Sequence, residues 1–273
     1  MRSLRTFFEF YINSSIHVAL AVVSLSVISF LDLEIPISQK LLIFTFFGTI
    51  TGYNFVKYAG IAKLHHSGLA KSLQIIQVFS FLSFIILVWA VFKVDQKVLF
   101  WTAFFGIFTL LYALPVFSKR RNLRSISGIK IFIIALVWAG VTVILPAVSA
   151  GLGLGSLVLI EFLQRFLLVL VLILPFEIRD LKYDLEQLGT IPQKVGVTKT
   201  KVLGIILLIV MLLLETFKNN RGQAEWAAFL LMLLVAAFFT WRSKERQSKY
   251  YASFWVEGIP IFWLLSLLVF KSL

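Results

Sequence analysis

The sequence predicts an all-α, polytopic membrane protein: nine transmembrane helices in one bundle, with cap loops on the cytoplasmic side. Three observations carry that prediction. Of 273 residues, 60% are hydrophobic and 28 are Phe, and the mean hydropathy is +0.95, well outside a soluble globular composition. Apolar runs approaching bilayer length recur along the whole chain. The charges also sort by side. Of the 26 Lys and Arg, nineteen fall on connections that share a side with the N-terminus, six fall on the other side, and Arg165 lies within a span. The positive-inside rule then places the N-terminus in the cytoplasm and the C-terminus outside an inner or plasma membrane.

The spans follow in order. The first, 16–31, is not a cleavable signal, because acidic residues and Pro36 follow it instead of a small-residue cleavage site. The second covers 41–56 and leads into a long cytoplasmic loop, 57–72. The third and fourth, 73–92 and 98–117, meet at a short outer loop bracketed by the interfacial anchors Trp89 and Trp101. The fifth, 131–148, is followed by the Gly-rich outer connection 150–156. The sixth, 157–176, contains Glu161, Gln164 and Arg165. Spacing i, i+4 and an intramembrane position suggest an ion pair between Glu161 and Arg165. The second long cytoplasmic loop, 177–201, comes next. Gly189 and Pro192 break a short acidic helix there, and Thr198 can cap the following span. The seventh span, 202–214, is short and is expected to extend through Lys201 and Glu215. The eighth and ninth, 226–241 and 254–270, join through an inner loop anchored by Trp241 and Trp255. Connections this short leave no room for a soluble domain, so residues 1–273 form a single membrane domain.

The net charge of +13 does not point to nucleic acid. The excess sits on short cytoplasmic loops, where it faces anionic lipid. The chain has no Cys, which excludes disulfides, thiolate nucleophiles and Cys-ligated metal.

One segment carries chemistry. Residues 175–196 read PFEIRDLKYDLEQLGTIPQKVG, and Glu177, Asp180, Asp184 and Glu186 supply four of only thirteen acids in the protein. On a helix, Glu177, Asp180 and Asp184 share one face. Clustered carboxylates repel unless a cation neutralises them, and an incomplete oxygen ligand set suits Mg²⁺ holding a diphosphate. The alternative is a solvated loop whose acids pair with Arg179, Lys182 and Lys194.

This pattern of acid-x-x-Asp-Leu-x-x-Asp followed by Gly-Thr-x-Pro resembles the second aspartate-rich motif of the UbiA superfamily of intramembrane prenyltransferases. Residues 111–123, LYALPVFSKRRNL, with Gly128 and Trp138, resemble that family's Tyr-x-x-Pro segment and following Lys-Arg. With the helix count, the resemblance covers essentially the whole chain. It implies a UbiA-like bundle that transfers an isoprenoid from a prenyl diphosphate to a lipid-phase acceptor, with Mg²⁺ held by Glu177, Asp180 and Asp184. Asp180, Asp184 and Tyr112 would be catalytic. Metal and cations would stabilise the departing diphosphate, and a dry aromatic pocket would shelter the carbocation.

The chain departs from the family at the first acidic motif. Residues 53–62 read YNFVKYAGIA; Asn54 fits, but Phe55, Tyr58 and Ala62 stand where aspartates are expected. No Asp or Glu occurs anywhere from 35 to 94. Two readings stay open. In one, a single Mg²⁺ site works beside diphosphate-binding cations, namely Lys57 and Lys63, Lys119 and Arg120, and Arg179, with Asn54. In the other, the protein keeps the scaffold as a lipid-binding or accessory membrane protein without transfer. Among the remaining polar residues, Asn13 and His17 open the first span, Glu257 lies near the cytoplasmic end of the last, and His65-His66 suits a loop role better than a closed metal site.

Overall fold

The structure is a computed structural model that describes residues 2–58, 71–113, 128–182, 189–218 and 221–272. The described residues are helical, with no strand among them. In chain order they form α1 (Arg2–Asn13), α2 (Ile16–Asp32), α3 (Gln39–Tyr58), α4 (Lys71–Val91), α5 (Gln96–Ala113), α6 (Lys130–Ala139), α7 (Leu145–Ser149), α8 (Ser156–Asp180), α9 (Ile191–Val195), α10 (Val197–Glu215), α11 (Gln223–Arg242) and α12 (Ile259–Ser272). A π turn, Gly140–Ile144, fuses α6 to α7, and a second, Tyr251–Val256, precedes α12.

A helix lies at each of the nine expected spans, yet six of them are long and apolar enough to cross a membrane. A seventh crossing results if α1 and α2, bent by 57°, count as one span, and Gln96–Leu111 is a shorter apolar helix. The shortfall has local causes. Helix α2 has only 17 residues, and Gly48, Thr49, Thr51, Gly52 and Asn54 dilute the apolarity of α3. With six such helices, the chain is an integral membrane protein.

The acidic segment differs from expectation at its start. Helix α8 runs unbroken for 25 residues through Pro175 to Asp180, so Glu177 and Asp180 belong to the spanning helix itself. Pro175 removes one N–H from the ladder, and its own carbonyl accepts a bond from Gln247 Nε2 at 2.9 Å. Thr198 does not cap the next span. Gly196, at φ 83°, starts α10, while the Thr190 N–H donates to Gln193 Oε1 at 2.9 Å at the head of α9.

The core is built around α2, α8 and α6, with α10, α11 and α12 packed outside them. In the fifth span, Gly140 is needed for close approach: a Cβ there would run into the ring of Phe105 on α5.

Where the end of α2, the start of α8 and the end of α10 meet, the structure buries a charge cluster that the sequence paired wrongly. Glu161 does not pair with Arg165. Its Oε1 accepts from Lys218 Nζ and, at 3.2 Å, from Arg221. Arg221 also grips both oxygens of Asp32, at 2.6 and 3.0 Å, and its Nε reaches Glu215 at 2.8 Å. Lys218 reaches Glu215 at 3.0 Å, and Gln164 donates to the same carboxylate at 2.8 Å. Arg165 points elsewhere, to Leu25 O and Ser29 Oγ on α2, beneath the Trp263 ring. Removing one partner of such a desolvated network leaves a buried unpaired charge, at a cost of about 3–5 kcal/mol. Lys218→Met should therefore lower the melting temperature sharply, and the double variant Glu161→Gln/Lys218→Met should recover part of the loss. A double-variant loss equal to the sum of the Glu161→Gln and Lys218→Met losses, read by thermal unfolding in detergent, would show that the pair is not coupled.

Candidate functional site

Helices α3 and α4 pack along each other, and α5 packs along α6, the π turn and α7. Between the two sets lies a cavity of about 1070 Å³. Its walls are mostly apolar, with Phe44, Phe84, Leu87, Phe105 and Val141 among them. Polar groups gather at one end, where Tyr53, Asn54, Tyr58, Gln77 and Ser80 line it. That end is the cytoplasmic one on the charge-derived topology. Trp138 Nε1 donates to Tyr53 OH at 2.6 Å, bridging α6 to α3 across the wall.

The end of α3 is where the first acidic motif is degenerate, and the structure gives these residues definite partners. The chain breaks between α1 and α2 at Ser15, whose φ is 64°. A break frees backbone carbonyls that need donors. Asn54 Nδ2 donates to Ser14 O at 3.0 Å and to Ser80 Oγ at 2.8 Å, and its Oδ1 accepts from Ser15 Oγ at 2.7 Å. Lys57 Nζ and Tyr58 OH both donate to Asn13 O, at 3.0 and 2.9 Å. In this arrangement Asn54 has both amide hydrogens and its carbonyl engaged by protein groups.

Beside the break, His17 is buried. Its Nε2 lies 2.9 Å from Phe254 O and its Nδ1 2.7 Å from Tyr11 OH. A carbonyl cannot donate, so Nε2 carries the hydrogen and Nδ1 accepts from Tyr11. His17 thus locks the π turn before α12 onto α1 and α2.

At the end of α8, Glu177 is buried and its Oε1 accepts from Lys130 Nζ at 3.0 Å. Both oxygens of Asp180 are held by the neighbouring Arg179, at 2.7 and 3.0 Å. Glu257, just beyond the second π turn, lies within electrostatic reach of Lys57 and Arg179 and of Tyr11. It thereby connects the α3 end to the α8 end. Tyr112 lies in the last turn of α5. Asp184, Glu186, Lys63, His65, His66, Lys119 and Arg120 lie outside the described residues.

The oxygen donors on α8 have the chemistry that Mg²⁺ takes. Among the described residues no group of three His, Asp or Glu side chains could hold a metal ion, and the third expected ligand, Asp184, is outside them. Reading the sequence alone anticipated a dry aromatic pocket but not its lining helices, the clamp on the α1–α2 break or the Lys130–Glu177 pair. Glycines at 48, 52 and 106 and the Ser–Ser pair at 14 and 15 were the signals to be had.

No family model matches the chain. No curated protein matches it in sequence either. Its fold does match a solved structure, from work on the biosynthesis of a digeranylgeranylglyceryl phosphate synthase in membranes. The TM-score is 0.58 over 98% of both chains, at 18% identity. Fold and membrane helices together define a polytopic helical membrane bundle. At that identity the likeness is one of fold.

Asn54→Ala should loosen the α1–α2 break, because two buried carbonyl and hydroxyl partners lose their donor at about 1–3 kcal/mol each. Hydrogen–deuterium exchange should rise at residues 10–20 with little change in α10 and α11. Unchanged exchange at the break would remove the clamp.

Proposed function

We propose that this chain is a UbiA-like intramembrane prenyltransferase that moves an isoprenoid from its diphosphate to a lipid-phase acceptor. The observation that carries the reading is the cavity: a long apolar cleft whose polar end lies on the same side as the carboxylates and cations ending α3 and α8. The fold-level likeness supports it.

In this reading the hydrocarbon of the substrate lies in the cleft and its diphosphate faces the α3 and α8 ends. The allylic C–O bond breaks and its electron pair leaves with the diphosphate. The acceptor's nucleophilic atom then forms the new C–C or C–O bond and gives up a proton. Lys57 and Arg179, with Lys63, Lys119 and Arg120, bind the diphosphate oxygens, Asn54 borders them, and Tyr112 orients the headgroup. The apolar walls exclude water, and the aromatic faces favour a developing cation. Asp180 and Asp184, with Glu177 as third ligand or support, would hold Mg²⁺, which would supply charge neutralisation for the departing diphosphate.

A second reading is a lipid-binding or accessory scaffold without transfer. The observation favouring it is the occupation of Asn54, Lys57 and Tyr58 by the helix break.

Calorimetry with a prenyl thiodiphosphate separates the two. The transferase reading expects binding that strengthens with Mg²⁺, loses that Mg²⁺ dependence in Asp180→Ala/Asp184→Ala, and weakens by about 1–3 kcal/mol in Lys57→Ala even at saturating Mg²⁺. No binding by the parent protein leaves the scaffold reading. Binding indifferent to Lys57 rejects only its role as a substitute cation.

The proposed topology has nine crossings, the N-terminus in the cytoplasm and the C-terminus outside. Because the chain lacks Cys, single cysteines at Lys93 and Lys244 report cleanly. They should label from opposite faces, with position 244 inside. Labelling from one face would end this topology.

A further inference from the structure

The cleft has a floor. Its innermost lining, at Phe44, Leu87, Val91, Leu99 and Leu145, belongs to a separate close-packed cluster that also buries Phe30, Leu41, Ala90 and Val98. This cluster joins the outer ends of α3, α4 and α5 to α7, so the cleft does not continue through the membrane.

Its depth can be read along α4, which lines it from Ile76 near the polar end to Val91 at the floor. At the helical rise per residue this is about 22 Å, room for a stretched hydrocarbon of roughly sixteen main-chain carbons. The walls also carry depth marks. Gly48 and Gly52 on α3 and Gly106 on α5 all line the cleft. A Cβ at Gly52 or Gly106 would meet no atom within 4 Å, and one at Gly48 would only touch Leu87 at 3.6 Å. Glycines four apart on a membrane helix commonly let another helix approach. At Gly52 and Gly106 no helix approaches and the missing side chains leave open volume, while at Gly48 the side chain of Leu87 on α4 stands at contact distance. Counted from Tyr58, Gly52 stands about 9 Å and Gly48 about 15 Å below the polar end.

Polarity fixes the occupant's orientation. Tyr53, Asn54, Tyr58, Gln77 and Ser80 line the cytoplasmic end, and the floor at Phe44, Leu87, Val91, Leu99 and Leu145 is apolar, with the Thr45 and Thr102 hydroxyls as the polar groups lining the cleft nearest to it. The fitting ligand is a single-chain lipid with a polar head at the cytoplasmic face and an unsubstituted tail.

We infer that the cleft is a length gauge, which accepts one hydrocarbon chain of up to about sixteen main-chain carbons, four isoprene units, and rejects longer ones at the Phe44–Leu87–Val91–Leu99 floor. The identification of that chain as prenyl rests on the transferase reading; the length limit does not.

The test uses the full-length protein in lipid nanodiscs with a series of photoreactive prenols of two to eight isoprene units, presented without a diphosphate. The parent protein should be labelled on α3–α5 by chains up to four units and several-fold less by longer ones. Gly48→Leu should lower the cutoff to about three units and Gly52→Leu to about two, following their depths. Gly153→Leu lies on the outer loop where a Cβ meets open space, and it should leave the cutoff unchanged. Retained melting temperatures separate a shortened cleft from a misfolded one. If Gly52→Leu does not fold, Gly106→Leu on the opposite wall replaces it. Labelling that is independent of chain length, or a cutoff that ignores all three glycines, overturns the gauge. A graded cutoff for prenols in a protein that binds no prenyl thiodiphosphate upholds the gauge and defeats the transferase reading instead.

Discussion

The buried charge cluster where α2, α8 and α10 meet is the constraint on which the rest of the bundle depends. Lipid tails are as apolar as leucine, so helices in a membrane gain little from hiding apolar faces and are held by packing and polar contacts. Here Asp32 on α2, Glu161 on α8 and Glu215 on α10 are bridged by Lys218 and Arg221 from the connection after α10. Arg165 adds a second tie from α8 to α2. No member could be deleted cheaply, since each carboxylate would be stranded where water cannot reach it. With three helices pinned in this way, the α3–α4 pair and α5 can rest against the core without closing upon each other. The cleft is the space they leave.

The opposite end is organised by a break rather than by charge. A left-handed Ser15 ends one helix and starts the next, and the carbonyls of Asn13 and Ser14 need donors. The end of α3 supplies an amide, an ammonium and a phenol. This gives a physical account of the acid missing at position 58. A carboxylate cannot donate to a carbonyl, so aspartate at position 58 would leave Asn13 O with one donor fewer and add negative charge beside it. Of the departures from the acidic motif, Tyr58 is the one the break requires; Phe55 is exposed, and Ala62 lies outside the described residues.

Much of the fold was legible because it is written in composition. Apolar runs marked a helix at each expected span, though not α1 or the short α9, since hydrocarbon solvent leaves the backbone little choice. What the sequence hid is what depends on distant partners. Glu161 and Arg165 looked paired because i, i+4 spacing is the only geometry a lone sequence displays, whereas the true partners lie more than fifty residues away. The place and lining of the cleft were hidden for a similar reason, because Gly48, Gly52 and Gly106 read equally well as packing contacts. The α8 end was half legible. Glu177 and Asp180 stand on the helix as expected, but the cation facing Glu177 comes from Lys130 on α6. Asp184 lies beyond the described residues.

The α8 end also has a consequence for how ligands would bind. Lys57, Lys130 and Arg179 stand against Glu177, Asp180 and Glu257, and the Lys130 and Arg179 bonds to carboxylates are direct. A diphosphate arriving alone would compete with those carboxylates for their cations, and each new bond to phosphate would be offset by a broken ion pair. A divalent cation arriving alone would face carboxylates already neutralised by Lys130 and Arg179. If both bind, the cations turn to the phosphate oxygens while the released carboxylates turn to the metal, and every charge keeps a partner. In the transferase reading the two ligands are therefore positively coupled through this exchange, and by linkage each raises the affinity of the other by the same factor. The resting ion pairs then act as the reference state that makes the site selective for the metal–diphosphate pair over either component.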